Sequence, residues 1–475
     1  MGVLLGRRGD FLEGKHRLTG LRVAESLIVF CLVYLWLRPV SDNFILIPVL
    51  FTLGVASGAA CVLGARRYAP GFGLIWISQS LFAVLGIALG LINSTPGILY
   101  GVAIYAAAPI LYWTWLRALD LRMIRVVLLW LAISTSLLST VIVLFVAGQK
   151  GLMPQLVPSS LLQASGAAFD PAANLIRFYG LSTLAAAGPL WAASLVLPAD
   201  TLMPRLSLRV SAASTSIAAA LVAGRRAIVV VIVIAPLLAW MSAAVIRWKW
   251  GPKVMAGQMN WAVGVAFRGR FRMAAALGTT LVVLAAVYIA APSLVPLSEI
   301  SRAFNSAAML FGGGTGVADV RVAEAKALIG GWLRSPVLGN GFGAVLPSFV
   351  RDPQKPWSFE LQYHLILFQT GLTGALLGIL ALLATVRQLR RAARAMPANS
   401  ATLVVTATGA VSLLLANAVD PYLEAPGHMW AIYLPLAVAN GLLVAHMNSD
   451  RGDTPVLKSG RLADTAGVAG AAPTS

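Results

Sequence analysis

The stretch Val126–Ala147, VVLLWLAISTSLLSTVIVLFVA, decides the fold. It carries no charged side chain, and as a helix rising 1.5 Å per residue it crosses the roughly 30 Å of hydrocarbon in a bilayer. Similar runs recur along the chain about every 35 residues with no long polar tract between them, so one helical bundle is expected. Twelve spans are predicted: Val23–Leu37, Phe44–Gly64, Gly71–Ile92, Gly97–Leu116, Val126–Ala147, Phe178–Leu197, Val210–Ala223, Ala227–Ile246, Met273–Ala291, Leu361–Val386, Leu403–Val419 and Met429–Ala445. The first and seventh are short for a crossing.

Composition agrees with lipid as the solvent. Of 475 residues, 59% are hydrophobic and 11% charged, and the mean hydropathy is +0.82, too apolar for the surface of a water-soluble domain. The expected fold class is an all-α integral membrane protein with about twelve transmembrane helices. Cys31 and Cys61 fall inside apolar runs, and two such cysteines make neither a disulfide framework nor a zinc site. Arg7, Arg8, Lys15, Arg17 and Arg22 precede the first run, with no small-residue cleavage site after it, which predicts an uncleaved first helix.

The net charge of +19 would suggest nucleic acid in a soluble protein. Here the charges fall between the apolar runs and report topology instead. With the N-terminus cytoplasmic, about 25 of the 36 basic residues lie on the cytoplasmic side, in the N-terminal segment 1–22, alternate loops and the polar tail 447–475. Both termini are therefore expected in the cytoplasm, with spans over 23–291 and 361–446 and one large extracytoplasmic loop over 292–360. The tail is expected to be disordered. Nucleic acid is not an expected partner; membrane lipids are.

The large loop is the first place to look for chemistry. Val322, Ala325, Leu328, Ile329 and Trp332 recur at helical spacing, which predicts an amphipathic helix over Asp319–Leu333 resting on the outer leaflet. Ser335-Pro336 ends it, and Gly339, Gly341 and Gly343 predict a turn. Gly312–Gly316 lacks the Gly-Lys-Ser/Thr ending of a phosphate loop and is better taken as a hinge.

Several charges share the outer side. Arg225 and Arg226 sit in the tightest outside connection, where guanidiniums either bind an anion or anchor to lipid phosphates. Glu360 and His364 lie four apart at the start of the tenth span, a spacing that suits a carboxylate–imidazole pair capable of general-base work or a plain structural contact. Asp420, Tyr422 and Glu424 lie beside Pro421 and Pro426 in the last outside loop, where a turn accounts for them equally well. No clustered Asp or His spacing suggests a metal site, and no cofactor is expected.

Four pieces of the second half resemble the bacterial O-antigen ligase and polymerase family. Gly224-Arg225-Arg226-Ala227 is similar to the family's Ser-Arg-Gly element, with Arg226 where glycine is usual. Arg321, Trp332, Ser335-Pro336, Leu338-Gly339, Gly341 and Gly343 resemble a series in the family's large loop. Glu360-Leu361-Gln362-Tyr363-His364 through Gln369-Thr370-Gly371-Leu372-Thr373-Gly374 is similar to the segment ending Glu-Thr-Gly-Leu-x-Gly, with Glu360 at the position of the ligases' histidine. Asn417 with Asp420-Pro421-Tyr422-Leu423 resembles the Asn-Pro-Tyr-Leu turn near the family's C-terminus, with aspartate for asparagine.

The resemblance implies a metal-independent membrane glycosyltransferase in the bacterial inner membrane, its active site facing the periplasm. It would polymerise O-antigen or exopolysaccharide repeat units from undecaprenyl-diphosphate-linked donors. The ligase alternative moves the lipid-linked glycan to lipid A core or another acceptor. Arg225, Arg226 and Arg321 are the expected diphosphate ligands, because the guanidinium fork matches phosphate and meets the charge that grows on the leaving group. Glu360, then His364, is the expected base for the acceptor hydroxyl. Arg334, Asp420 and Glu424 are candidate acceptor or loop contacts, and a chain-length regulator protein is a further partner implied. A transporter or lipid-linked oligosaccharide flippase is the alternative of another class, since twelve spans with both termini inside also suit transport.

Overall fold

The computed structural model describes residues 2–39, 43–149, 151–158, 169–170, 175–176, 180–223, 226–247, 317–418 and 420–451. They form α1 (Gly2–Leu37), α2 (Asn43–Leu63), α3 (Gly73–Ile92), α4 (Ile98–Val102), a π-turn (Ala103–Ala107) leading into α5 (Ala108–Ala118), and α6 (Leu121–Gln149). Two strands, Phe169–Asp170 and Leu175–Ile176, pair antiparallel. Then follow α7 (Leu184–Val196), α8 (Leu206–Val222), α9 (Arg226–Val233), α10 (Ala235–Arg247), α11 (Val317–Trp332), α12 (Gln362–Ala395), α13 (Ser400–Ala416) and α14 (Trp430–Asp450).

Among the described residues, eight stretches are long and apolar enough to cross a membrane: Arg17–Leu37, Ile45–Leu63, Gly73–Ile92, Ile98–Ala118, Leu121–Gln149, Gln362–Ala395, Pro397–Ala416 and Pro426–Asp450. Each coincides with a predicted span, and a helix is the form in which a single segment satisfies its own backbone in lipid. The chain is a multi-pass, helical membrane protein.

Three of the other four predicted spans differ. Leu181–Val196 and Leu206–Val222 are apolar but short. Pro198 forces Leu197 into extended backbone after α7 (φ −90, ψ 150), and Pro204 precedes the start of α8. The eighth is two helices, α9 and α10, bent by 57°. Pro236, lacking an N–H, cannot continue the hydrogen-bond ladder through the join. The ninth, Met273–Ala291, lies outside the described residues, as do Gly312–Gly316 and the tail beyond Arg451.

Small residues and tryptophans build the centre. In α14, 83% of the membrane-length window is buried, against 28% in α3, so α14 is a central helix and α3 a peripheral one. Trp36, Trp115, Trp191 and Trp430 are fully buried. Trp36 and Trp430 meet edge to face at 6.0 Å, and Trp191 donates its indole N–H to Thr135 Oγ1 at 3.2 Å. At one end of the bundle the buried Glu25 accepts from Arg66 at 2.9 Å and faces Arg122 at 3.5 Å, and Arg66 also reaches Asp120 at 2.6 Å.

At the opposite end α12 is interrupted. Gly371 has φ +59 and ψ −163, a conformation open essentially to glycine alone. The backbone of residues 336–341 fills the gap in the ladder. Asn340 N–H donates to Phe368 O at 3.0 Å and Gly341 N–H to Gln369 O at 2.8 Å, while Leu372 and Thr373 N–H donate to Pro336 O and Val337 O at 2.9 and 3.0 Å. A broken helix is tolerated at membrane depth where protein supplies its freed polar groups with partners, and residues 336–341 supply them here.

The glycine-rich turn thus docks into the bundle. Gly339, Gly341 and Gly343 all have positive φ. Gly343 lies against Gly97 so closely that a Cβ would overlap the Gly97 backbone. Between them Phe342 is buried, donates its N–H to Gly86 O at 2.9 Å and stacks on Tyr105 of the π-turn at 4.4 Å.

Candidate functional site

The helix predicted over Asp319–Leu333 is α11, Val317–Trp332. Its buried face differs from the expected one. Glu324, Leu328 and Gly331 are buried, at i, i+4 and i+7, whereas Val322 and Ile329 are exposed. Leu328 packs with Phe359, Leu361, Leu365 and Phe368, so α11 rests on the first turns of α12.

Placing a carboxylate on that face calls for partners, because a buried unpaired charge costs several kcal/mol. Glu324 is 0% exposed and finds two. Its Oε1 accepts the N–H of Leu361, the residue just ahead of α12, at 2.8 Å, where a negative charge complements the helix dipole. Its Oε2 accepts Nη1 of Arg351 at 2.9 Å.

Arg351 also donates through Nη2 to Glu360 Oε1. The other oxygen of Glu360 accepts Nε of Arg321 at 3.0 Å, one turn before Glu324 on α11. Arg321 in turn approaches Asp420 Oδ1 at 3.9 Å. A chain of alternating charges therefore runs Glu324, Arg351, Glu360, Arg321, Asp420. Its outer members are a quarter to a third exposed, so the chain opens at a rim.

Asp420 is held by the turn between α13 and α14. Asn417 Oδ1 accepts Leu423 N–H at 2.9 Å, and the Tyr422 hydroxyl lies 3.3 Å from Asp420 Oδ2. His428 anchors the same turn, with Nδ1 2.9 Å from Tyr422 O and Nε2 2.6 Å from Ser182 Oγ. That geometry suits an Nδ1–H donating to the carbonyl while Nε2 accepts the serine hydroxyl.

Glu424, in the same turn and outside the membrane-spanning segments, sits in another environment. Its Oε1 accepts the side-chain amide of Gln362, and its Oε2 accepts the Tyr100 hydroxyl at 3.2 Å. Burial pushes its carboxyl up to about 7, the hydrogen bonds from Gln362 and Tyr100 pull it down, and the charge of Glu324 raises it.

Of the residues expected from the sequence, Arg321, Glu360 and Asp420 come together and Glu424 lies beside them. Arg225 lies outside the described residues, and Arg226 opens α9. Arg334 is exposed in the turn after α11 and makes no ion pair among the described residues. The Glu360–His364 pairing does not form. α12 begins at Gln362, so Glu360 precedes the helix and both its oxygens go to arginines, while the half-buried His364 makes no ion pair among the described residues.

Glu324, Arg351, Gln362 and Tyr100 escaped the sequence reading. Glu324 was detectable as a carboxylate four residues before Leu328 on one helical face; Arg351 carries no local signal. No protein-family model, curated protein or solved structure matches the chain.

Proposed function

We propose that this chain is a metal-independent membrane glycosyltransferase that polymerises surface-polysaccharide repeat units from undecaprenyl-diphosphate-linked donors. In this reading both termini are cytoplasmic, about twelve helices cross the bacterial inner membrane, and the charged chain faces the periplasm. The observation that carries the proposal is the convergence of Arg321, Glu360 and Asp420. They come from three separate pieces of the family resemblance, and they meet at one partly exposed rim.

The chemistry follows from residue type. Arg321 binds phosphate oxygens and meets the charge that develops as the glycosidic bond to the diphosphate breaks. Arg225 and Arg226 would set further positive charge against it. The acceptor hydroxyl attacks C1 of the donor sugar opposite the leaving diphosphate, inverting the anomeric centre, and its proton passes to a carboxylate.

Glu360 at the ligases' histidine position favours polymerase over ligase. Cells lacking the chain separate the two: single-repeat glycans on a gel support polymerisation, whereas accumulated lipid-linked polymer supports ligation. The R321A variant is expected to give the deletion phenotype with normal insertion; wild-type glycan length in R321A would overturn the proposal.

The bend between α9 and α10 and the break in α12 favour the transport reading, because transporters bind substrate at broken helices. Against it, protein backbone fills the α12 break, and the carboxylate of Glu25 is paired with Arg66. Uptake or flipping in proteoliposomes without glycan transfer would decide for transport.

A further inference from the structure

A base must have a free oxygen when the acceptor arrives, and Glu360 does not offer one. Both its oxygens are held by guanidiniums, Nε of Arg321 at 3.0 Å and Nη2 of Arg351. Glu424 has the reverse surroundings. It is buried, and the groups on its two oxygens are the neutral Gln362 amide and the Tyr100 hydroxyl.

Its position links it to the charged chain from two sides. Gln362 follows Glu360 by two residues and donates its backbone N–H to Glu360 O at 3.0 Å. Glu424 follows Asp420 by four, in one turn. The Tyr100 hydroxyl is the one group over Oε2 among the described residues, so it is the group that the hydroxyl of an acceptor sugar would replace.

We propose that Glu424 is the catalytic base of this site, accepting the proton of the acceptor hydroxyl at Oε2, with Tyr100 occupying the hydroxyl's place until the acceptor binds. This rests on the glycosyltransferase reading. The acceptor oxygen forms a bond to C1 of the donor sugar, its proton goes to the carboxylate of Glu424, and the C1–oxygen bond to the lipid diphosphate breaks with its electron pair leaving on the diphosphate. Both charges are accommodated, the proton on a buried acid and the diphosphate on arginine.

The groups facing Glu424 are Tyr100 ahead of the π-turn, Tyr105 within it, Glu324 of α11 and Gln362 of α12. Burial, against the pull of the Gln362 and Tyr100 hydrogen bonds, places the carboxyl at about 7, where a base is both free and basic in neutral medium.

The test uses the full chain in proteoliposomes with the lipid-linked oligosaccharide extracted from cells that lack it, measuring elongation from pH 5 to 9. Wild type is expected to lose rate about tenfold per pH unit below about 7. The E424Q variant should fall by roughly 100-fold or more at pH 8, a typical loss for a general base, and E424D should recover part of the rate. In Y100F, removing a hydrogen bond to the charged form should move the acid limb to higher pH. The E360Q variant should keep that limb.

The inference is overturned if E424Q elongates within about threefold of wild type, if the limb stays fixed in Y100F, or if only E360Q abolishes it. Absence of elongation by wild type, with no lipid-linked glycan accumulating in cells without the chain, would defeat the glycosyltransferase reading itself and this inference with it.

Discussion

Arg351 reaches the carboxylate of Glu324 across 27 residues of sequence, at 2.9 Å, and the oxygen it meets has no access to solvent. The contact ties the segment before Glu360 to α11. The R351M variant strands the buried carboxylate and should destabilise the protein by on the order of 2–3 kcal/mol, below the full cost of breaking a buried pair because Arg351 is partly exposed. Adding E324Q should restore much of the loss, since glutamine can still accept the Leu361 N–H. Thermal melts of the single and double variants in detergent would check this; equal loss in R351M and the double variant would refute it.

Gly371 is expected to tolerate no side chain. In G371A, a Cβ at φ +59 would collide with Val337 O, and the junction between α12 and residues 336–341 would open. Amide hydrogen exchange at Asn340, Gly341, Leu372 and Thr373 should then rise well above wild type. Unchanged protection there would show that the junction does not depend on this conformation.

Phe342 fills the space left by Gly86 and Gly101 and stacks on Tyr105. The F342A variant should cost about 3–5 kcal/mol, in the range of phenylalanine truncations in a core. Because Phe342 lies between α11 and Glu360 in sequence, elongation should fall along with the melting temperature. F342L, which keeps most of the volume, should recover both.

Glu424 makes stability depend on pH. Its folded-state value of about 7 lies above the ordinary 4.5, so the folded protein binds the proton more tightly than the unfolded chain. The resulting stabilisation is complete below about 4.5 and is lost as the pH rises through about 7. The E424Q variant removes this dependence. Its stability, compared with wild type and followed by melting, should gain between pH 4.5 and 7 and then level off, by up to about 3 kcal/mol. Parallel curves for the two proteins would contradict the placement of this carboxyl.

How much was legible in the sequence depends on the range of the force involved. A membrane span is set by its own hydropathy, so eight spans were visible from local composition, and those that fell short carry prolines at or beside their ends. Helix α11 was visible as a period, and Leu328 lies on its buried face as expected, but Glu324 was missed because it is polar and its burial depends on the Leu361 N–H and the distant Arg351. The Glu360–His364 pairing failed for a related reason. It assumed a helix already begun, whereas the chain enters α12 at Gln362 and two arginines, 39 residues before and 9 residues before, set the bonding of Glu360. Gly371 was quoted within a motif, yet a lone glycine in an apolar run does not say that a segment thirty residues earlier closes the break.

That closure divides α12 into two mechanical parts. Gln362–Thr370 is stitched to residues 340–341 and, through Glu324 and Leu328, to α11, while the stretch beyond Gly371 continues to Ala395. The joint falls inside the hydrocarbon-length span. Residues 336–341 bond to both parts at once and so act as a splint across Gly371, and Glu360, just ahead of the short part, keeps its reach to Arg321 while that splint holds.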